Sequence, residues 1–89
     1  MAHSKQARKR IQVNERKAQR NRVYRSASRT LVRRAQAAIE SGDQDAAQEA
    51  VARAIRQLDR TAARGVIHRN NAARRKSRLM AKLNNMQAA

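Results

Sequence analysis

The chain has 89 residues, with 22 Lys and Arg against six Asp and Glu, a net charge of +16, no Cys, no Trp, no Phe and one Tyr. Without cysteine there is no disulfide framework and no thiolate metal site, no apolar run approaches the ~20 residues of a membrane span, and the length allows one small domain with a lean core. An excess of charge this large suits a polyanionic partner, because each phosphate that is neutralised releases a condensed counterion.

The charge is sorted along the chain. Residues 1 to 34 hold twelve basic groups and one acid, residues 35 to 63 hold three and five, and residues 64 to 89 hold seven and none. Ala, Arg, Gln, Lys and Leu, all good helix formers, dominate; Pro is absent, and the two glycines stand at 42 and 65. An all-α fold follows, with the glycines as its breakpoints. The start is charged rather than apolar, so it lacks the h-region of a secretory signal; an organellar transit peptide would be Ser-rich, whereas this basic segment runs straight into an apolar-periodic one. The expected location is cytosolic.

The first helix is expected over about residues 5 to 41, roughly 55 Å at ~1.5 Å per residue. Tyr24, Ala27, Leu31, Ala35, Ala38 and Ile39, with Ser28, follow the three-and-four spacing of a buried face. Arg22, Arg25, Arg29 and Arg33 form a second stripe, roughly opposite the first. Lys5, Arg8, Lys9, Arg10, Arg16, Lys17, Arg20 and Arg22 fall all round the axis, so residues 5 to 22 have no protein surface to bury against. This segment must overhang its shorter partners, and its like charges favour fraying until phosphates surround it.

Gly42 fits the left-handed position that ends a helix. Asp43 and Asp45 each suit the cap of the next one, Asp45 with Gln48 resembling a capping box. The second helix is then built on Ala47, Ala50, Val51, Ala54, Leu58 and Ala62, with Glu49–Arg53 and Arg56–Asp59 at ion-pair spacing on a solvated outer face. Gly65 ends it. Val66, Ile67 and His68 form the turn, with His68 or Asn70 as the cap of a third helix that places Leu79, Met80, Leu83 and Met86 on one side. Arg74 and Arg78 point away from that side, and Arg75 and Lys82 sit at its edge. Short loops between three such stripes give an up-down-up three-helix bundle in a single domain, 1–89.

Chemistry of other kinds finds no support. His3 and His68 are far apart in sequence and lack cysteine partners, which argues against a metal site. The acids gather at a helix start, where the macrodipole favours them. No Ser or Thr has a neighbouring base, and no Gly-rich phosphate loop is present. The chain reads as a binder rather than an enzyme, with no cofactor. Leucine-zipper heptads and a compact helix-turn-helix signature are missing, which disfavours duplex DNA. Apolar stripes rich in Ala and without Trp or Phe disfavour a membrane surface or an acidic protein. Folded RNA, read through backbone and shape rather than by aromatic stacking, fits best.

The segment from Leu58 to Leu79, centred on Gly65-Val66-Ile67-His68-Arg69-Asn70, resembles the signature of the ribosomal protein S-twenty family of the bacterial small subunit. The opening Met1-Ala2-His3-Ser4-Lys5 with Arg8-Lys9-Arg10, the stretch Arg29-Thr30-Leu31-Val32-Arg33-Arg34, and Ala37-Ala38-Ile39-Glu40 extend the resemblance to nearly the whole chain. Where the family commonly carries an aromatic near the end of the first helix, Ala35 and Gln36 stand here. The resemblance implies a three-helix bundle that binds small-subunit ribosomal RNA directly, near the bottom of the subunit body. It implies an early assembly role with contacts to several RNA helices, only minor contacts to other ribosomal proteins, and a monomer within the ribosome. By that match Lys5, Arg8, Lys9, Arg10, Arg16, Arg29, Arg33, His68, Arg69, Asn70, Arg74, Arg75, Lys76 and Arg78 contact RNA. Lys17, Arg20, Arg22, Arg25, Arg64, Asn71 and Lys82, from the basic segments and the turn between the second and third helices, complete the candidate set.

Overall fold

The computed structural model describes residues 4–88, so the Met1-Ala2-His3 opening lies outside the described residues. Three helices follow in order: α1 (Lys5–Ser41), α2 (Gln44–Ala63) and α3 (Arg69–Ala88). The molecule is a rod of 63 × 21 × 16 Å, its length set by the 37 residues of α1 against 20 in each of the others.

Both ends of α1 and α2 and the start of α3 have a side chain or a glycine behind them. The Ser4 hydroxyl accepts from Ala7 N at 3.1 Å and starts α1. At the other end Gly42 takes φ +83°, where a Cβ is penalised, and its N–H reaches Ile39 O. The Ser41 hydroxyl donates to Ala38 O at 2.7 Å and accepts from Asp43 N at 3.4 Å. It thereby bridges the donor and acceptor that a Schellman turn would join directly. Asp43, rather than Asp45, caps α2, with its carboxylate accepting from Ala46 N at 3.2 Å. The end of α2 is a full Schellman motif: Val66 N donates to Thr61 O, Gly65 N donates to Ala62 O, and Gly65 has φ +74°.

His68 starts α3. Its Nδ1 accepts from Asn70 N at 3.1 Å, and its carbonyl accepts from Asn71 N and Ala72 N. His68→Ala is expected to lower stability by about 1 kcal/mol, the usual worth of a cap, seen as a drop of about 4–8 °C in Tm by circular dichroism.

The register of contacts fixes the topology. Ser28 on α1 meets Thr61 on α2 through a buried hydroxyl–hydroxyl bond of 2.7 Å, while Leu31 and Ala38 face Arg53, Ala50 and Ala46, so α2 runs antiparallel to α1. Val32 and Gln36 lie beside Arg75, Leu79 and Lys82, so α3 runs parallel to α1. This is the expected up-down-up arrangement, with α2 packed on both neighbours and α1 touching α3 least.

The core is Ala35, Ala47, Val51, Ala54, Leu58, Ala72, Leu79 and Leu83, with Leu31, Val32, Ile39 and Ile67 packed against it. Ala35 is fully buried. Three features of the packing have simple causes. Met80 is exposed, because the buried stripe of α3 passes through Ala72, Leu79 and Leu83. Thr61 is fully buried, its hydroxyl satisfied by donating to Gln57 O at 2.7 Å and accepting from Ser28. Asp59 pairs across helices with Lys76 at 2.7 Å rather than along its own helix with Arg56, whereas the Glu49–Arg53 pair forms as expected at 2.8 Å.

Candidate nucleic-acid interface

Residues 8–20 of α1 are exposed on every side. This is the overhang expected from the charge distribution, and it carries Arg8, Lys9, Arg10, Arg16, Lys17 and Arg20 beyond the bundle, with Lys5 at its tip. Ile11 and Val13 are its exposed apolar side chains. The first turn of α1 holds no acid, and Glu15 is the one carboxylate along the overhang.

Within the bundle the two basic segments meet. The stripe on α1 lies nearer the bundle than expected: half-buried Val32 and Gln36 line the α1–α3 seam, so Arg25 and Arg29 flank that seam instead of facing away from the core. Arg25 and Arg29 line one recess of that seam together with Asn71 and Arg75. Arg75, Arg78 and Lys82 line the next recess along it, beside Val32 and Gln36. Arg78 therefore faces the seam and does not point away from it. Arg22 joins Arg25 and Arg29 in a third recess that leads toward the overhang.

The result is a cationic trough running from the overhang along the α1–α3 seam. No carboxylate lines these recesses, and α3 contains no acidic residue. Unopposed guanidinium groups in a shallow channel present several N–H donors each in a planar fork, the geometry that takes a phosphate through two bonds at once.

The other candidates are placed differently. Arg33, Arg69, Asn70 and Arg74 are exposed on their helices. His68 spends Nδ1 on its cap. Lys76 is half-buried and held by Asp59, on the side of α3 that faces α2. The Arg64 guanidinium lies 5.6 Å from the centre of the Tyr24 ring, within cation–π range. Arg25 donates from Nη2 to Val66 O at 3.3 Å. Sequence reasoning had no access to these two ties between α1 and the α2–α3 turn, since one uses a backbone carbonyl 41 residues away.

Among the described residues no group of three His, Cys, Asp or Glu side chains is placed to hold a metal ion, and no helix is long and apolar enough to cross a membrane.

Comparison with known proteins gives one consistent result. The family described as Ribosomal protein S20 matches residues 2–84. The chain is 48% identical over 84 residues to "Small ribosomal subunit protein bS20" of Thermomicrobium roseum, covering 94% of this chain and 85% of that one. It is 49% identical over 89 residues to the protein of the same name from a Roseiflexus species, 100% of this chain and 97% of that one. The namesake from Colwellia psychrerythraea is 52% identical over 81 residues, 91% of this chain and 94% of that one. With a match over nearly its whole length and a bundle that displays two basic segments along one seam, the chain belongs to the ribosomal protein S20 family, whose members are structural, non-enzymatic components of the small ribosomal subunit.

Proposed function

We propose that this protein binds small-subunit ribosomal RNA directly, in the cytoplasm, and helps that RNA to fold early in subunit assembly. The observation that carries the reading is the carboxylate-free trough in which Arg22, Arg25 and Arg29 of α1 meet Arg75, Arg78 and Lys82 of α3. The trough takes phosphates of one RNA element, while the overhang reaches into another. α2, with its acids on the outer surface, holds the two basic helices at a fixed spacing. The overhang is disordered in the free protein and becomes helical as phosphates neutralise it, so that part of the binding energy orders the chain. Contacts to other ribosomal proteins are minor, and the protein acts as a monomer within the subunit.

Binding through about ten phosphates gives a log–log salt dependence with a slope near −9 on the duplex-DNA scale, and shallower on RNA. Filter binding or fluorescence titration with small-subunit ribosomal RNA across a salt series measures it. A slope shallower than about −2 would remove the electrostatic account. Competition with random duplex DNA separates the proposal from general nucleic-acid compaction: ribosomal RNA must win at equal phosphate concentration.

A further inference from the structure

Every arginine of the trough carries the same charge, but one of them is held differently. The Val66 carbonyl that accepts from Arg25 belongs to the residue whose N–H closes the Schellman turn on Thr61 O. Val66 is buried, and its N–H and C=O are both engaged, so the carbonyl is fixed in direction. The turn is tied to α1 a second time, by Arg64 over the ring of Tyr24, the residue next to Arg25. One guanidinium N–H is thus spent on a rigid acceptor, and the Arg25 side chain lines the recess shared with Arg29 and Arg75. Arg29 and Arg75 have no comparable tie among the described hydrogen bonds and ion pairs.

We infer that Arg25 is the orienting anchor of the trough, a guanidinium aimed by the α2–α3 turn so that its free N–H groups take one RNA phosphate in a fixed direction. The inference rests on the reading of the trough as an RNA-binding surface. It separates Arg25 from the other basic residues by geometry rather than by charge. A side chain already held in its bound direction loses less rotational freedom on binding than a free one does. Lysine at this position keeps the charge but cannot use one plane to hold a carbonyl and a phosphate together.

The test is a set of single replacements at constant charge, Arg25→Lys, Arg22→Lys and Arg29→Lys, in the full chain, with small-subunit ribosomal RNA as the probe. Each variant loses its planar fork, but Arg25→Lys should weaken binding about tenfold, at least about three times as much as either Arg22→Lys or Arg29→Lys. The salt slope should stay within about one unit of the unmodified protein in all three, since no charge is lost. The Tm of free Arg25→Lys should stay within a few degrees of that of Arg22→Lys. Equal affinities among the three variants would overturn the inference, and so would an affinity loss in Arg25→Lys accompanied by a matching loss of Tm, which would make the tie structural. Failure of the unmodified protein to bind the RNA, or a flat salt series, would instead count against the proposed function itself.

Discussion

Leu58→Ala is expected to leave the free protein largely unfolded near room temperature. Leu58 is fully buried in the C-terminal half of α2, the helix that packs against both others, and it ranks among the largest fully buried side chains of the molecule. Removing a buried Leu side chain costs about 2–5 kcal/mol, the transfer term plus the cavity it leaves. A core this small supplies only about 3–5 kcal/mol of net stability. The two ranges overlap, so loss of one side chain takes most of the margin. Tm should fall by more than 10 °C, at about 4–8 °C per kcal/mol for a domain of this size. Val23→Ala is the control: Val23 is 68% exposed on α1, and its loss should move Tm by no more than a couple of degrees. A shift below about 4 °C for Leu58→Ala would mean that the three helices do not share the core described.

Deleting residues 1–20 is expected to have the opposite profile, with a large loss of RNA affinity and little loss of stability. The deletion removes Lys5, Arg8, Lys9, Arg10, Arg16, Lys17 and Arg20, seven cations, and one acid, Glu15. Between residues 8 and 20 nothing is buried against the bundle, so the core is untouched. At about 0.7–0.9 units of slope per phosphate released, the log–log salt dependence should become shallower by up to about 5–6 units, and affinity at low salt should drop by several orders of magnitude. Tm of the free protein should stay constant or rise, because seven mutually repelling charges are gone. An unchanged salt slope would show that the overhang does not touch RNA. A fall in Tm of 10 °C or more would show that it packs on the bundle.

The architecture was readable from the chain because its punctuation is sparse. Two glycines, each taking a positive φ after a helix, divide a sequence of strong helix formers, and the helix bounds expected from them agree with Lys5–Ser41 and Gln44–Ala63 to within a residue or two. What the sequence concealed depends on tertiary neighbours. Thr61 continues the spacing of Ala47, Val51, Ala54 and Leu58, yet as a hydroxyl residue it reads as surface until Ser28 is seen opposite it. The cationic stripe of α1 was legible as a stripe, but its direction was not. Apolar periodicity marks the side facing α2, whereas the seam with α3 is lined by Val32 and Gln36, and the polar Gln36 blurs the pattern there. The same asymmetry affected α3: its basic residues were evident, but which of them share the seam with α1 depends on the rotation of that helix, set by Ala72, Leu79 and Leu83.

The first turn of α1 contains no acid, and Lys5, Arg8, Lys9 and Arg10 crowd the end where the unpaired N–H groups of a helix are already positive. Near its other end stands Glu40, again of the sign that end disfavours. α1 is therefore charged against its own macrodipole at both ends, so its intrinsic helicity is lowest where it projects furthest from the core. A row of phosphates reverses that balance from the tip inward, replacing repulsion with an anion at the positive pole of a helix. The polarity of α1 thus gives binding a direction: the amides near Lys5 gain the most order from contact with RNA, and those beside Ala35 gain the least.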